Sequence, residues 1–190
     1  MVIAVAFDFV KVERAAKQLL IAIGENPNRQ GLLDTPKRYA KWWKEFIQYD
    51  TGNLNTVFDN VASDQMVIVK GMQVWSLCEH HLLPFNSTIT IGYIPNNKIL
   101  GLSKFGRIAQ KFAHRLQVQE RMISQISEEV SRICATDDVA VLGVGEHLCM
   151  TMRGVRLPAN MGSSILKGRF KTDAIIHAEW LTLSSNPKRY

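Results

Sequence analysis

The 190-residue sequence is short of several things, and each shortage closes off a class of protein. No stretch of eighteen apolar residues occurs, so no membrane-spanning helix is expected. The first eight residues, Met1 to Asp8, are apolar but lack a basic leader and meet an acid at position 8, unlike a secretory signal. A cytoplasmic location is the expectation. Cysteine is scarce: Cys78, Cys134 and Cys149 cannot make a disulfide framework for a chain of this length. In a reducing compartment such residues serve as metal ligands, nucleophiles or small buried hydrophobes. Cys134, at the end of a helical pattern, reads as core. The net charge is +6, from 23 basic and 17 acidic residues, yet no lysine- or arginine-rich run is present. A nucleic-acid partner is therefore not expected, and an anionic small molecule accounts for the balance equally well. Repeats and low-complexity tracts are also missing.

What is present fits one globular domain with an N-terminal extension, at 46% hydrophobic and 21% charged residues. Residues 10–23 carry Val10, Ala15, Ala16, Leu19, Leu20 and Ile23 at helical spacing, with Gly24 as a stop. Thr35 as N-cap and Pro36 at the first helical position open a second helix. Along it Tyr39, Trp42, Trp43 and Phe46 form a core stripe. Residues 50–64 are polar and turn-rich, a connector, so the expected division is a helical region at 1–64 and a second domain at 65–190. The period then changes to two, predicting strands over 66–77 and 87–93 with a turn at Pro95-Asn96-Asn97. Ser103 reads as the N-cap of a helix through Leu116, and a further helix starts near Val118 with Ile123, Ile126, Val130 and Ile133 as its stripe. Residues 139–144 and 148–153 predict strands. An apolar piece at 175–183 follows, then a polar end from Asn186 to Tyr190. Two helices followed by β-β-α-α-β-β predict an α+β fold, an antiparallel four-stranded sheet with two helices on one face.

The chemistry gathers in two segments. Cys78-Glu79-His80-His81 puts a thiol and an imidazole three residues apart, close enough to share one metal ion. The alternative is a buried thiol beside a hydrogen-bonded histidine. If 148–153 is a strand, His147, Cys149, Thr151 and Arg153 share one face and Leu148, Met150 and Met152 the other. Cys149 would then be a third ligand from a remote strand. Three protein ligands with a fourth position open is the pattern of a catalytic zinc site, and no second C-x-x-C or H-x-x-x-H supplies a closed one. His80 and His147 are suited to proton transfer near neutral pH. Ser103, Lys104 and Arg107 open a helix whose free N–H groups suit a phosphate, or form a capped turn with solvated basic residues. Glu120, after Gln119, suits either a base edge or the helix dipole.

Taken together, Cys78-Glu79-His80-His81 with Leu83-Pro84-Phe85, Gly101-Leu102-Ser103-Lys104, Leu116 to Arg121, and His147-x-Cys149-Met150-x-x-Arg153-Gly154 closely resemble GTP cyclohydrolase I. Gly24 to Pro27 and Asp34 to Arg38 are similar to that family too, and the resemblance spans roughly residues 10–183. It implies a tunnelling fold whose subunits assemble into β-barrels, in a homodecamer of two pentamers with interface active sites. It implies zinc-dependent hydrolysis of GTP at C8, formate release and rearrangement to 7,8-dihydroneopterin triphosphate, for folate, tetrahydropterin or 7-deazaguanine biosynthesis. By position, Cys78, His81 and Cys149 would hold Zn2+. His80 and His147 would transfer protons, and Ser103 would sit beside the ribose. Glu120 and Gln119 would bind the guanine edge. Lys104, Arg107 and Arg153, with Arg38 and Lys41, would bind triphosphate. Residues 155–167 match the family loosely. A zinc-stabilised binding module without turnover is the rival reading. The intact pair His80 and His147 opposes it.

Overall fold

The computed structural model describes residues 6–59 and 65–185. The apolar start, the end of the expected connector (60–64) and the polar C-terminus (186–190) lie outside the described residues. By internal contacts the chain divides into Met1–Tyr49 and Asp50–Tyr190, fifteen residues before the expected boundary. Much of that difference is short strand pairing: β1 (Val57–Asp59) runs antiparallel to β4 (Lys98–Leu100).

The first unit is a helical hairpin of α1 (Phe9–Ala22) and α2 (Thr35–Ile47). Asp8 starts α1 by accepting the Lys11 N–H at 3.0 Å, a side-chain cap on an otherwise orphan donor. At α2 the capping position is Asp34, not Thr35, which is already helical, and Pro36 sits in the first turn where its missing N–H is harmless. Tyr39, Trp42, Trp43 and Phe46 pack on one another, Trp42 stacked between Tyr39 and Phe46 and meeting Trp43 edge-on with centroids 5.0 Å apart. Only Phe46 is buried, whereas Tyr39 and Trp42 are each 39% exposed. A two-helix hairpin has no third layer of its own to cover such a stripe.

The second unit is built on a five-stranded sheet, ordered β5-β2-β3-β6-β7. Strands β2 (Val67–Cys78), β3 (Pro84–Tyr93), β6 (Val139–Glu146) and β7 (Asn160–Leu166) are antiparallel neighbours. The two-residue β5 (Leu116–Gln117) adds to β2 in parallel. Helices α3 (Leu102–Ala113) and α4 (Gln119–Cys134) pack across the sheet. Their apolar stripes, Phe105, Ile108 and Ala109 from α3 and Met122, Ile126 and Val130 from α4, close on Val74, Ile89 and Ile91. Each such large side chain stabilises the fold by about 1.5–3 kcal/mol when taken fully from water. Cys134 lies in this core as expected. A smaller cluster is built from Ile94, Ala140, Phe170 of α6 (Arg169–Thr172) and Trp180 of α7 (Ala174–Ser184).

Three expectations need correction. Ser103 is not the N-cap of α3; Gly101 is, and the helix ends at Ala113 because Leu116–Gln117 leave to pair with Cys78 and Leu77. Residues 148–153 are not a strand. β6 loses its β7 partner after Glu146↔Asn160, only a single bridge from Phe85 reaches His147, and the chain turns into one helical turn, α5 (Leu148–Thr151). There the His147 carbonyl accepts the Met150 and Thr151 N–H groups at 2.9 and 3.1 Å. The fourth antiparallel strand is β7, in a stretch where Gly162-Ser163-Ser164 gave no strand signal.

Candidate active site

The turn after β2 carries the first half of the site. Cys78 ends the strand with its N–H donating to Leu83 O at 2.8 Å, and its carbonyl accepts the N–H groups of His81 and Leu82 at 3.3 and 2.8 Å. Glu79 N–H is held by Gln117 O of β5 at 3.0 Å. This tight turn swings His81 back, so that its Nδ1 is 3.7 Å from Cys78 Sγ. Cys149 completes a cluster with Cys78 and His81 in which all three donor atoms lie within 4.8 Å of one another. Two ligands of one tetrahedral zinc, at about 2.3 Å for sulfur and about 2.1 Å for nitrogen, stand about 3.6 Å apart. The Cys78–His81 spacing fits that value, and a soft two-thiol, one-imidazole set suits zinc. The face alternation predicted for 147–153 does not exist, yet Cys149 still reaches the cluster from α5. Burial, reinforced by the Cys78 thiol, pushes the Cys149 thiol pKa up, while nearby Arg153 opposes the shift.

Arg153 donates to His81 Nε2 at 2.6 Å. A guanidinium can only donate, so in this arrangement the neutral ring carries its own proton on Nδ1, the atom facing Cys78. His80 Nδ1 is 4.0 Å from Cys78 Sγ, and most of its ring is open to solvent. Glu79, unassigned by sequence reasoning, has a clear partner: Arg121 in the first turn of α4 grips it with both terminal nitrogens, at 2.5 and 3.0 Å. That bond holds the Glu79 carboxyl below the usual carboxylate range.

His147 forms a second arm. Its ring lies parallel to Phe85, with centroids 4.5 Å apart and planes 4° apart, and its Nε2 meets Gln119 Oε1 at 3.1 Å. Burial lowers its pKa, and the charge of Glu120 partly opposes that. Gln119 itself is completely buried. Its carboxamide is engaged on both ends, by His147 on one side and by β6 and β7 on the other. Neither Arg121 nor Phe85 was singled out for a role by sequence pattern. Arg121 opens α4 beside Glu120 like any surface base, and Phe85 reads as an ordinary strand residue.

With these elements in place the wider likeness is informative. The sequence profile of GTP cyclohydrolase I matches residues 12–185. The chain belongs to the GTP cyclohydrolase I family. It is 46% identical over 181 residues to the GTP cyclohydrolase 1 of Sulfurihydrogenibium sp., covering 94% of this chain and 96% of that protein. Identity to the GTP cyclohydrolase 1 of Hyperthermus butylicus is 43% over 173 residues, with 90% and 89% covered. The Pseudoalteromonas translucida GTP cyclohydrolase 1 is 40% identical over 178 residues, with 91% and 97% covered.

In this member of the GTP cyclohydrolase I family the candidate phosphate ligands come from separate elements of the chain. Arg153 is beside His81 of the Cys-His-Cys group. Ser103 and Arg107 are exposed on α3, Arg107 donating to Thr51 O at 3.2 Å, while Lys104 is nearly buried. Arg38 and Lys41 belong to the first unit, where they pair with Asp34 and Glu45 at 3.5 and 3.8 Å. Glu120 is exposed in the first turn of α4. Among the described residues no helix is long and apolar enough to cross a membrane.

Proposed function

We propose that Cys78, His81 and Cys149 hold a zinc ion at which this family member opens the imidazole ring of GTP. The protein is a hydrolase of the GTP cyclohydrolase I type, acting on GTP with release of formate and formation of 7,8-dihydroneopterin triphosphate. The observation that carries the residue assignment is the convergence of two thiols and one imidazole within 4.8 Å. Among the described residues that cluster has three members, which leaves a coordination position open as catalytic sites do and closed structural sites do not. A zinc ion there supplies Lewis-acid activation of water for attack at C8 near neutral pH.

The remaining work falls to the chain's own side chains. His80, beside Cys78 and open to solvent, delivers a proton to the ring nitrogen released as the imidazole opens. His147 transfers a proton near the ribose, with Ser103 as a further group there. Glu120 receives the guanine edge through charge-assisted hydrogen bonds. Lys104, Arg107 and Arg153, with Arg38 and Lys41, meet the triphosphate. Once Nδ1 of His81 serves as a ligand, the ring proton resides on Nε2 and Arg153 has no acceptor there. Its guanidinium is then free for an anion.

Assembly belongs to the same proposal. Leu82, Met152, Val155 and Leu157, around and just after the site segments, are each more than half exposed. A homodecamer of two pentamers, with active sites between subunits, would cover such side chains. The active domain is assigned to the chain after the N-terminal helical region, and the compartment to the cytoplasm. The test is direct: incubation of metal-replete protein with GTP yields a product that oxidises to a fluorescent pterin, with about one zinc per chain by elemental analysis. No fluorescent product from fully metallated, assembled protein would sink the proposal.

A further inference from the structure

We infer that Gln119 is a positioning residue that fixes the neutral His147 ring with its proton on Nε2 and its lone pair on Nδ1. The inference rests on the reading of His147 as a proton-transfer group. It starts from the three groups around the Gln119 carboxamide nitrogen: Gly143 O at 3.1 Å, Met161 O at 3.0 Å and Ser163 Oγ at 3.0 Å. Two are carbonyl oxygens, which only accept, so the end facing them is the NH2. An amide turned the other way would set oxygen against oxygen twice inside a fully buried site. The choice of amide orientation is thus made by the fold and not by convention.

With the NH2 fixed on β6 and β7, Oε1 must face His147 Nε2, 3.1 Å away. That oxygen only accepts, so Nε2 must donate. The stacked Phe85 ring fixes the imidazole plane at the same time. Space for the arrangement is built into β6: a side chain at Gly145 would run into Asn86 O and stand 3.0 Å from Gln119 Oε1. Among the described residues no protein group is bonded to His147 Nδ1.

The proton bookkeeping follows. The Nε2 proton stays on its inward bond throughout. Nδ1, with its lone pair, is then the nitrogen left open for proton transfer. Gln119 thereby sets which nitrogen meets the substrate without touching it. Guanine recognition is left to Glu120 and to groups other than this side chain.

The test uses the metal-loaded full chain with nitrogen-15 histidine, the His147 signals being assigned by their loss in His147→Ala. The expected spectrum shows one protonated and one unprotonated His147 nitrogen, with the proton on Nε2, and an exchanging ring in Gln119→Met. In that variant kcat falls about 10- to 100-fold, the range for partners that orient a working histidine. KM for GTP stays within about twofold, and the preference for GTP over inosine triphosphate is unchanged. In a His147→Ala background Gln119→Met brings no further loss. A proton on Nδ1 in the wild type overturns the inference, and this measurement needs no variant to fold. A raised KM with loss of the preference for GTP overturns it too, and returns Gln119 to guanine binding. A fixed Nε2 proton with full turnover in His147→Ala instead overturns the proton-transfer reading and leaves the tautomer assignment standing.

Discussion

The metal corner and the imidazole corner of this site are held in opposite ways. Cys78, His81 and Cys149 gather on a turn and a single helical turn, with His81 exposed and Cys149 half-buried. Among the described protein groups their donor atoms meet chiefly one another and Arg153. His147, two residues from Cys149, is clamped by a parallel aromatic ring and by an amide that is itself tied to β6 and β7. On the proposed reading one corner is completed from outside by an ion, whereas the other has its protein partners already in place. A site that must load a metal needs the first arrangement, and a histidine that must present one chosen nitrogen needs the second.

The sharpest way to break this contrast is to remove a metal ligand. Cys149→Ala should lower zinc from about one per chain to none and turnover by more than about 10³-fold, because unactivated water is a poor nucleophile at neutral pH. The His147 ring signals should survive, since none of its bonds involves the cluster. Strong chelation of the wild type should give the same loss and reverse on adding zinc. His80→Ala should come next, lowering kcat by about 10²- to 10⁴-fold with zinc retained; full turnover would remove His80 from its assigned role.

Two changes probe the links between the corners. Glu79→Gln should weaken the bidentate grip of Arg121 and lower kcat by about tenfold, by analogy with other outer partners of working residues. Because both side chains are partly open to water, which screens the pair, melting temperature should move little. A large drop in melting temperature with normal kcat would make the pair purely structural. Phe85→Leu should lower kcat by a similar or smaller factor and destabilise by about 0.5–3 kcal/mol, read by denaturant unfolding.

The smallest effect concerns neither corner. Burial pushes the Cys134 thiol up to about 12 from an ordinary 9.0. The raised folded-state value means the buried neutral thiol supports the fold fully below pH 9. That support fades as pH climbs from 9 towards 12, because the unfolded chain gains by ionising first. The stability gap between wild type and Cys134→Ala should therefore narrow over that range, while remaining flat below it.

The first half of the Cys-His-Cys group was readable in the sequence because Cys78 and His81 are neighbours, and a short turn needs no distant information. Cys149 was readable as the third member of the group, but its setting was not. A strand over 148–153 follows from alternation, yet whether a strand continues depends on a pairing partner, and β7 ends its register opposite Glu146. Strand β7 was hidden because Gly162, Ser163 and Ser164 carry little apolar signal; the edge position asks little of them. β5 is too short for any periodicity. Gln119 looked like a surface recognition residue beside Glu120, since nothing local announces that two carbonyls from β6 and β7 converge on it. Three of the four antiparallel strands, β2, β3 and β6, together with α3 and α4, were by contrast legible from period changes alone.

The two residues of β5 carry a consequence for anyone redesigning this protein. They join α3 to α4 while clasping Cys78 and Glu79 through main-chain bonds. Lengthening that junction by even one residue would shift the start of α4, and with it Gln119, Glu120 and Arg121, against the metal-binding turn. The Pro95-Asn96-Asn97 turn, which joins β3 to β4, carries none of the candidate site residues and is the better place for an inserted tag or linker.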